Sequence, residues 1–257
     1  MPPKKYSICI THYNNVRTVA LSLDSILNQI DENFEVIVSD NFSNDGSAEI
    51  LSKYAKEGKI RLVRIRSSRG LGRQMSFLKS TGQYIISNID TDEVYLPMLK
   101  VVLSFYHKYC EGKLLLVTSG PDKQVRGLQN LTILPRTLAF ELGGWRDLQY
   151  GEDWDLWARA AKRDKFCLTH YNLLASPNQH YERLKLIPRV LLRYIKYRDM
   201  MRLGRHVKIQ EKKASTSQKV IYYAAKVSIL FHRKYTDEFN REFNPYHPRY
   251  FVPWCSD

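Results

Sequence analysis

Absent from this sequence is any run near the ~18 consecutive apolar residues that a bilayer-spanning helix needs; the apolar stretch at 114–117 is only four residues long. The opening Met-Pro-Pro-Lys-Lys-Tyr leads into no signal-like apolar region. Cysteine is sparse, and Cys9, Cys110, Cys167 and Cys255 are scattered without a CxxC pair, which excludes a zinc ribbon and a disulfide frame. These absences predict a reducing, cytoplasmic setting, with any contact to the cytoplasmic face of a membrane being peripheral. Acidic residues are outnumbered, 26 against 40 lysines and arginines, yet no established nucleic-acid motif accompanies the basic excess.

What is present is a chain of 257 residues, 44% hydrophobic, able to bury a full core as one large domain with or without an appendage. Its charge is uneven. Residues 180–257 hold 17 Lys and Arg against 7 Asp and Glu, whereas residues 1–179 hold 23 against 19. Such a tail meets anionic lipid headgroups, nucleic acid or only water, and charge alone does not choose among them.

Residues 6–13 alternate as a strand does, Asn14-Asn15 breaks the run, and 16–29 carry Val19, Leu23, Ile26 and Leu27 at helical spacing. A second apolar strand at 34–39 ends in Asp40-Asn41-Phe42-Ser43-Asn44-Asp45-Gly46-Ser47. A helix at 48–56 and a third strand at 60–65 follow, then a helix opened by Arg69-Gly70-Leu71-Gly72-Arg73-Gln74. This alternation predicts an α/β fold, Rossmann-like, whose mostly parallel sheet binds ligands at the carboxyl ends of its strands. The next strand, Tyr84-Ile85-Ile86-Ser87-Asn88-Ile89-Asp90-Thr91-Asp92-Glu93, brings three carboxylates in four residues to that rim. Like charges this close repel unless a proton or a cation neutralises them. In an extended chain Asp90 and Asp92 project to one side and Thr91 to the other, so the pair suits one hard divalent ion; a solvated acidic loop is the alternative.

Four pieces of sequence now carry a resemblance. They are Ile10-Thr11-His12-Tyr13-Asn14-Asn15, the loop from Asp40 to Ser47, Asp90-Thr91-Asp92, and Gly143-Gly144-Trp145-Arg146-Asp147 with Gly151-Glu152-Asp153-Trp154-Asp155-Leu156-Trp157. In that order they resemble the opening strand, the Asp-Asp-Gly-Ser loop, the DxD motif and the Gly-Gly and Glu-Asp motifs of family 2 glycosyltransferases, inverting, metal-dependent nucleotide-sugar enzymes of the GT-A fold. The set is specific although each piece alone is weak. Thr11 stands where many members have Pro, Asn41-Phe42 replaces Asp-Gly, and Glu93 follows the DxD where a second Asp is common. The resemblance implies a GT-A domain over 1–181 and leaves 182–257 as a basic, mainly helical extension. It also implies a nucleotide-sugar donor, uridine-linked by preference, a glycan or lipid-linked acceptor, Mn²⁺ or Mg²⁺ as cofactor, and no nucleic-acid partner.

Roles can be assigned on that basis. Tyr13 offers a ring for stacking a base, or is a core aromatic; Asp40 can accept from a uracil N3–H, and Thr11 can add a hydroxyl contact. Arg73 reaches the phosphates, or is a solvated arginine at a helix start. By resemblance, Asp92 binds the metal directly, Asp90 contacts the ribose or the metal through water, and His180 is a third metal ligand or a phosphate contact. A helix expected from Trp154 onward puts Glu152 and Asp153 at its N-terminus, favouring an ionised Asp153 as the base that deprotonates the acceptor hydroxyl; N-capping is the plain alternative. Glu152 would orient the acceptor or Asp153, Trp145 is a sugar platform or a hydrophobic plug, and Asp155 faces sideways as helix surface.

In the tail, 184–203 reads as a basic amphipathic helix presenting Lys185, Arg189, Arg193 and Lys196, either to anionic lipid beside a lipid-linked acceptor or to solvent. A linker at 212–217, a helix at 220–231 and an aromatic, Pro-rich end at 243–254 that wraps a surface complete the chain. Two rival functions stand beside the main one. Asp90-Thr91-Asp92-Glu93-Val94 also fits the DxDx(T/V) motif of haloacid-dehalogenase-type phosphohydrolases, with Asp90 as nucleophile, and the charge suits a nucleic-acid-binding module.

Overall fold

The computed structural model describes residues 5–119, 130–173, 189–205, 215–235 and 242–254. Strands β1 (Tyr6–His12), β2 (Phe34–Asp40), β3 (Arg61–Arg64) and β4 (Tyr84–Asp90) run parallel and are connected by α1 (Val19–Leu27), α2 (Ser47–Lys56) and α3 (Arg69–Lys79). After α4 (Leu99–Tyr109) come β5 (Leu114–Thr118), β6 (Asn130–Pro135), α5 (Arg136–Glu141), α6 (Glu152–Ala161) and β7 (Phe166–His170). The sheet order is β3-β2-β1-β4-β6-β5-β7, with β6 antiparallel to both neighbours and β7 parallel to β5. The sheet is therefore mostly parallel, as the alternation predicts, and mixed only where β6 inserts between β4 and β5.

Strand alternation divides the core into two layers. Ile8, Ile10, Leu115 and Val117 face the layer that includes α1 and α4, while Cys9, Leu114 and Leu116 face Phe77 of α3 and Leu156 and Trp157 of α6. β4 breaks this rule in one place. Its pairing with β1 shifts between Ile86 and Ile89, and Asn88 sits there at φ 65°, a conformation that asparagine tolerates better than most residues. Because of this bulge Ile86 and Ile89 share one layer despite their odd spacing. Side-chain parity beyond the bulge is reversed. Asp90, opposite Thr11 in the ladder, thus belongs to the α3–α6 face; an unbroken strand would have sent it to the other.

The tail packs back onto this body. α7 (Arg189–Arg202) and α8 (Thr216–Ser228) lie against each other, Phe243 and Tyr250 join the α3–α6 layer, and Val252 N–H donates to the Leu168 carbonyl at 2.8 Å. Trp254 stacks on Phe105 at 4.3 Å, so the aromatic end does pack on a surface, although Pro248–Tyr250 form a 3₁₀ turn and not an extended segment. On α7, Asp199 is fully buried and accepts from the backbone N–H groups of Gln149 (2.9 Å) and Tyr150 (3.1 Å), while pairing with Arg198 and Arg202. Asp199→Ala would leave two loop N–H groups without their acceptor and the buried Arg202 with the Arg233 carbonyl but no carboxylate, a loss of roughly 3–5 kcal/mol. Chemical denaturation should show that loss; a change below ~1 kcal/mol would mean solvent replaces the carboxylate.

Candidate active site

Asp90, Glu152, Asp153 and Arg73, expected from distant parts of the sequence, meet near the carboxyl end of β4. Ser68 caps α3 by accepting from Leu71 N–H, and Gly70 and Gly72 allow the helix its close approach. A Cβ on Gly70 would lie 2.0 Å from the Arg146 carbonyl oxygen, and one on Gly72 would lie 3.0 Å from the Thr11 methyl. This proximity brings Arg73, on the second turn of α3, into the acidic cluster. Its guanidinium is 3.2 Å from Asp153, 3.5 Å from Glu152 and 3.9 Å from Asp90. Arg73 is buried, not the solvated helix-start residue of the plain reading, and its Nε and Nη1 make no hydrogen bond among the described residues. Arg69, half-exposed one turn earlier, lies 3.7 Å from Glu152 and was not singled out by the sequence pattern.

The DxD segment differs from the simple alternating picture. β4 ends at Asp90 and Thr91-Asp92 form a turn, so the rule that places i and i+2 on one side stops applying at Asp90. Asp92 is buried, whereas the Asp90 side chain keeps 39% exposure. The turn is held from several sides: the Thr91 carbonyl accepts from Asn15 and Thr18, and the Asp90 N–H donates to Tyr95 Oη. His12, unremarked in the sequence reading, is buried and bridges Thr91 Oγ1 (2.7 Å) to Ser47 Oγ (2.8 Å). It links the first strand, the loop after β2 and the acidic turn. Its only sequence signal was its place inside the first motif.

α6 begins at Glu152, two residues earlier than the pattern predicts, and its N-cap is Gly151 at φ 78° with no side-chain cap. Asp153 therefore does not cap the helix. Its Oδ1 accepts from Trp145 Nε1 at 3.1 Å and faces Arg73. Trp145 itself is 3% exposed and packs on Phe77, so it is a buried positioning group and not an open sugar platform. Asp155, read as helix surface, is fully buried between Arg146 (2.8 Å) and Arg159 (2.7 Å). Asp40 is likewise buried, and it already accepts from Ser43 N–H, Ser43 Oγ (2.6 Å) and Arg64 (3.3 Å). It shapes the loop; direct contact with a base would require that loop to open. Tyr13, 46% exposed, stands on the rim, and Thr11 is partly exposed beneath it. His180 and Lys185 lie outside the described residues.

Burial pushes the Glu152 carboxyl up to about 7, with the Asp153 charge adding to the rise and Arg69 and Arg73 opposing it. Desolvation also raises Asp90, against the pull of Arg73 and with the push of Asp92. Burial acts to lower Arg73, but Asp153, Asp90 and Glu152 outweigh it and hold the guanidinium charged. A raised carboxyl favours the folded state at low pH. Glu152 contributes fully below its unfolded value of 4.5, and the contribution is lost as pH rises through about 7. Relative to the native chain, Glu152→Gln should gain about 3 kcal/mol in unfolding free energy between these limits. A pH-independent difference would show that Glu152 ionises normally.

The comparisons agree with this architecture. Residues 7–132 match the family described as Glycosyl transferase family 2, a match that ends before the Glu152–Asp153 pair. EpsE of Bacillus subtilis, provisionally named a glycosyltransferase, is 33% identical over 110 residues, 41% of this chain and 39% of EpsE. The chain thus spans well under two thirds of that relative. The Escherichia coli UDP-Glc:alpha-D-GlcNAc-diphosphoundecaprenol beta-1,3-glucosyltransferase WfaP is 25% identical over 171 residues, 59% of this chain and 68% of WfaP. Among solved structures, S. aureus TarS 1-349 with UDP-GlcNAc superposes with a TM-score of 0.58 at 15% identity, covering 86% of this chain and 79% of that fragment. The Pyrobaculum calidifontis mannosyltransferase PcManGT, with GDP-Man and Mn²⁺, gives 0.58 at 17% identity, covering 88% and 71%. The fold is GT-A.

Proposed function

We propose that this chain is a family 2 glycosyltransferase, moving a sugar with inversion from a nucleoside-diphosphate sugar to an acceptor hydroxyl. The observation that carries the reading is the convergence of Asp90, Glu152 and Asp153 on Arg73 at the carboxyl rim of the sheet. Buried arginine donors without hydrogen bonds are costly, and a phosphate oxygen would satisfy them. Arg69, more exposed, would add a second cation for the diphosphate. Tyr13 would stack on the base, with Thr11 beside it, and Asp40 would hold the loop that borders the base.

The residues present fit a hard divalent cation, because the charge of Asp92 pushes Asp90 up and both offer only oxygen. Among the described residues no group of three His, Cys, Asp or Glu is placed to hold a metal, so Asp92, Asp90 and ligand oxygens would share the coordination, with His180 a further candidate. Mn²⁺ or Mg²⁺ there would stabilise charge on the departing diphosphate. Asp153 would take the proton from the acceptor hydroxyl, its position fixed by the Trp145 Nε1–H bond and by Arg73. Glu152, sharing Arg73, would set the charge of the pair.

UDP-linked donors and a lipid-linked acceptor are the first candidates, since WfaP's name states UDP-Glc and a diphosphoundecaprenol-linked sugar, and TarS was crystallised with UDP-GlcNAc. A panel of nucleotide sugars, read by Mn²⁺-dependent thermal stabilisation and by hydrolysis, tests the proposal and names the donor. Stabilisation by none of them, together with phosphate release from an aryl phosphate, would favour the phosphohydrolase in which Asp90 is the nucleophile.

A further inference from the structure

α8 and the 3₁₀ turn that continues it (Ile229–Phe231) turn an apolar face outward. Ile221 and Ala225 are buried against the body, yet Val220 (62% exposed), Tyr223 (51%), Val227 (58%), Leu230 (70%) and Phe231 (83%) are open. Their spacing of three, four, three and one places all five within one arc of the helix. Scattered apolar residues on a surface need no explanation, but a continuous stripe ending in an almost fully exposed phenylalanine does.

The charged residues of the segment that carries the stripe, 215–235, are all basic. Lys219 and Lys226 lie along one edge, and His232, Arg233 and Lys234 follow its end. Residues 215–235 contain no Asp or Glu. A twofold contact with a second copy would place this patch against itself, setting cations against cations. A negatively charged surface with an apolar interior has no such conflict. No helix among the described residues is long and apolar enough to cross a membrane, so the arrangement is that of a helix lying in the interface plane.

We infer that the outer face of α8 docks the protein on anionic phospholipid bilayers. Val220, Val227, Leu230 and Phe231 enter the headgroup boundary, while Lys219, Lys226 and Arg233 meet lipid phosphates. This moves the membrane-facing surface away from the α7 face that carries Arg193 and Lys196, where Lys196 lies over the Tyr150 ring. The inference is independent of the proposed chemistry, because vesicle binding is read without any sugar donor.

The test is co-sedimentation of the full chain with phosphatidylglycerol–phosphatidylethanolamine vesicles and with phosphatidylcholine vesicles. Wild type is expected to bind the anionic vesicles and to release as salt rises. Leu230→Ser with Phe231→Ser should weaken binding by at least ~10-fold at unchanged melting temperature, because both side chains are already exposed. Lys219→Gln with Lys226→Gln should weaken it and flatten the salt dependence. Wild type that ignores anionic vesicles at low salt overturns the inference. So does equal binding by the Leu230/Phe231 variant, or a concentration-dependent dimer that this variant abolishes.

Discussion

Asp153→Asn should lower sugar transfer by ~10²–10⁴-fold while nucleotide-sugar binding stays near wild type. The substitution keeps the shape of the side chain, and an asparagine oxygen can still accept from Trp145 Nε1, which now sits 3.1 Å from Oδ1. Arg73 loses one ionic partner and retains Glu152 and Asp90. What disappears is the ability to take a proton. Isothermal titration with donor, alongside initial-rate transfer assays, separates the two effects. Weakened donor binding with normal turnover would make Asp153 an anchor for Arg73 and would leave the general base unassigned.

A second large effect is expected at the other acid. Asp92→Ala should abolish transfer and metal-dependent donor binding together, while the apo protein keeps its fold. The stability part follows from charge. Asp92 raises its neighbour Asp90, and removing one of two repelling carboxylates relieves that repulsion. Thermal melting with and without Mn²⁺ and nucleotide reads both parts, since a ligand that binds only the folded state raises the midpoint. Full Mn²⁺-dependent activity in the variant would remove Asp92 from the metal site.

Most elements of the α/β body were legible because their signals are local. β1, β2 and β4 announced themselves by runs of β-branched residues that end abruptly in polar loops, and α3 by its glycine-rich opening. The bulge at Asn88 left no such trace, although it decides which face Asp90 reaches. Periodicity assigns a side by counting, and one inserted residue inverts every later assignment. The same limit explains Asp155. Asp155, one of three acids in one helical turn, read as helix surface, and only the arrival of Arg146 and Arg159 makes it part of a buried ion pair. Arg73 was found but its setting was not, because its partners come from 17 and about 80 positions away. The extension at 182–257 read as a basic, mainly helical appendage beyond the reach of the resemblance; the buried Asp199 and the Trp254–Phe105 stack come from side chains that meet only in the folded chain.

The Asp199 clasp also sets an order of events. Its two bonds to the 149–150 loop close intervals of 50 and 49 residues, and the bond from Thr169 Oγ1 to the Val252 carbonyl spans 83. Sheet pairings such as Tyr6 with Tyr84 close intervals as long, so the order in which the chain is made, and not loop length, separates the clasp from the sheet. On the ribosome, the sheet and its acidic turn emerge well before the segment that steadies the loop leading into Glu152 and Asp153.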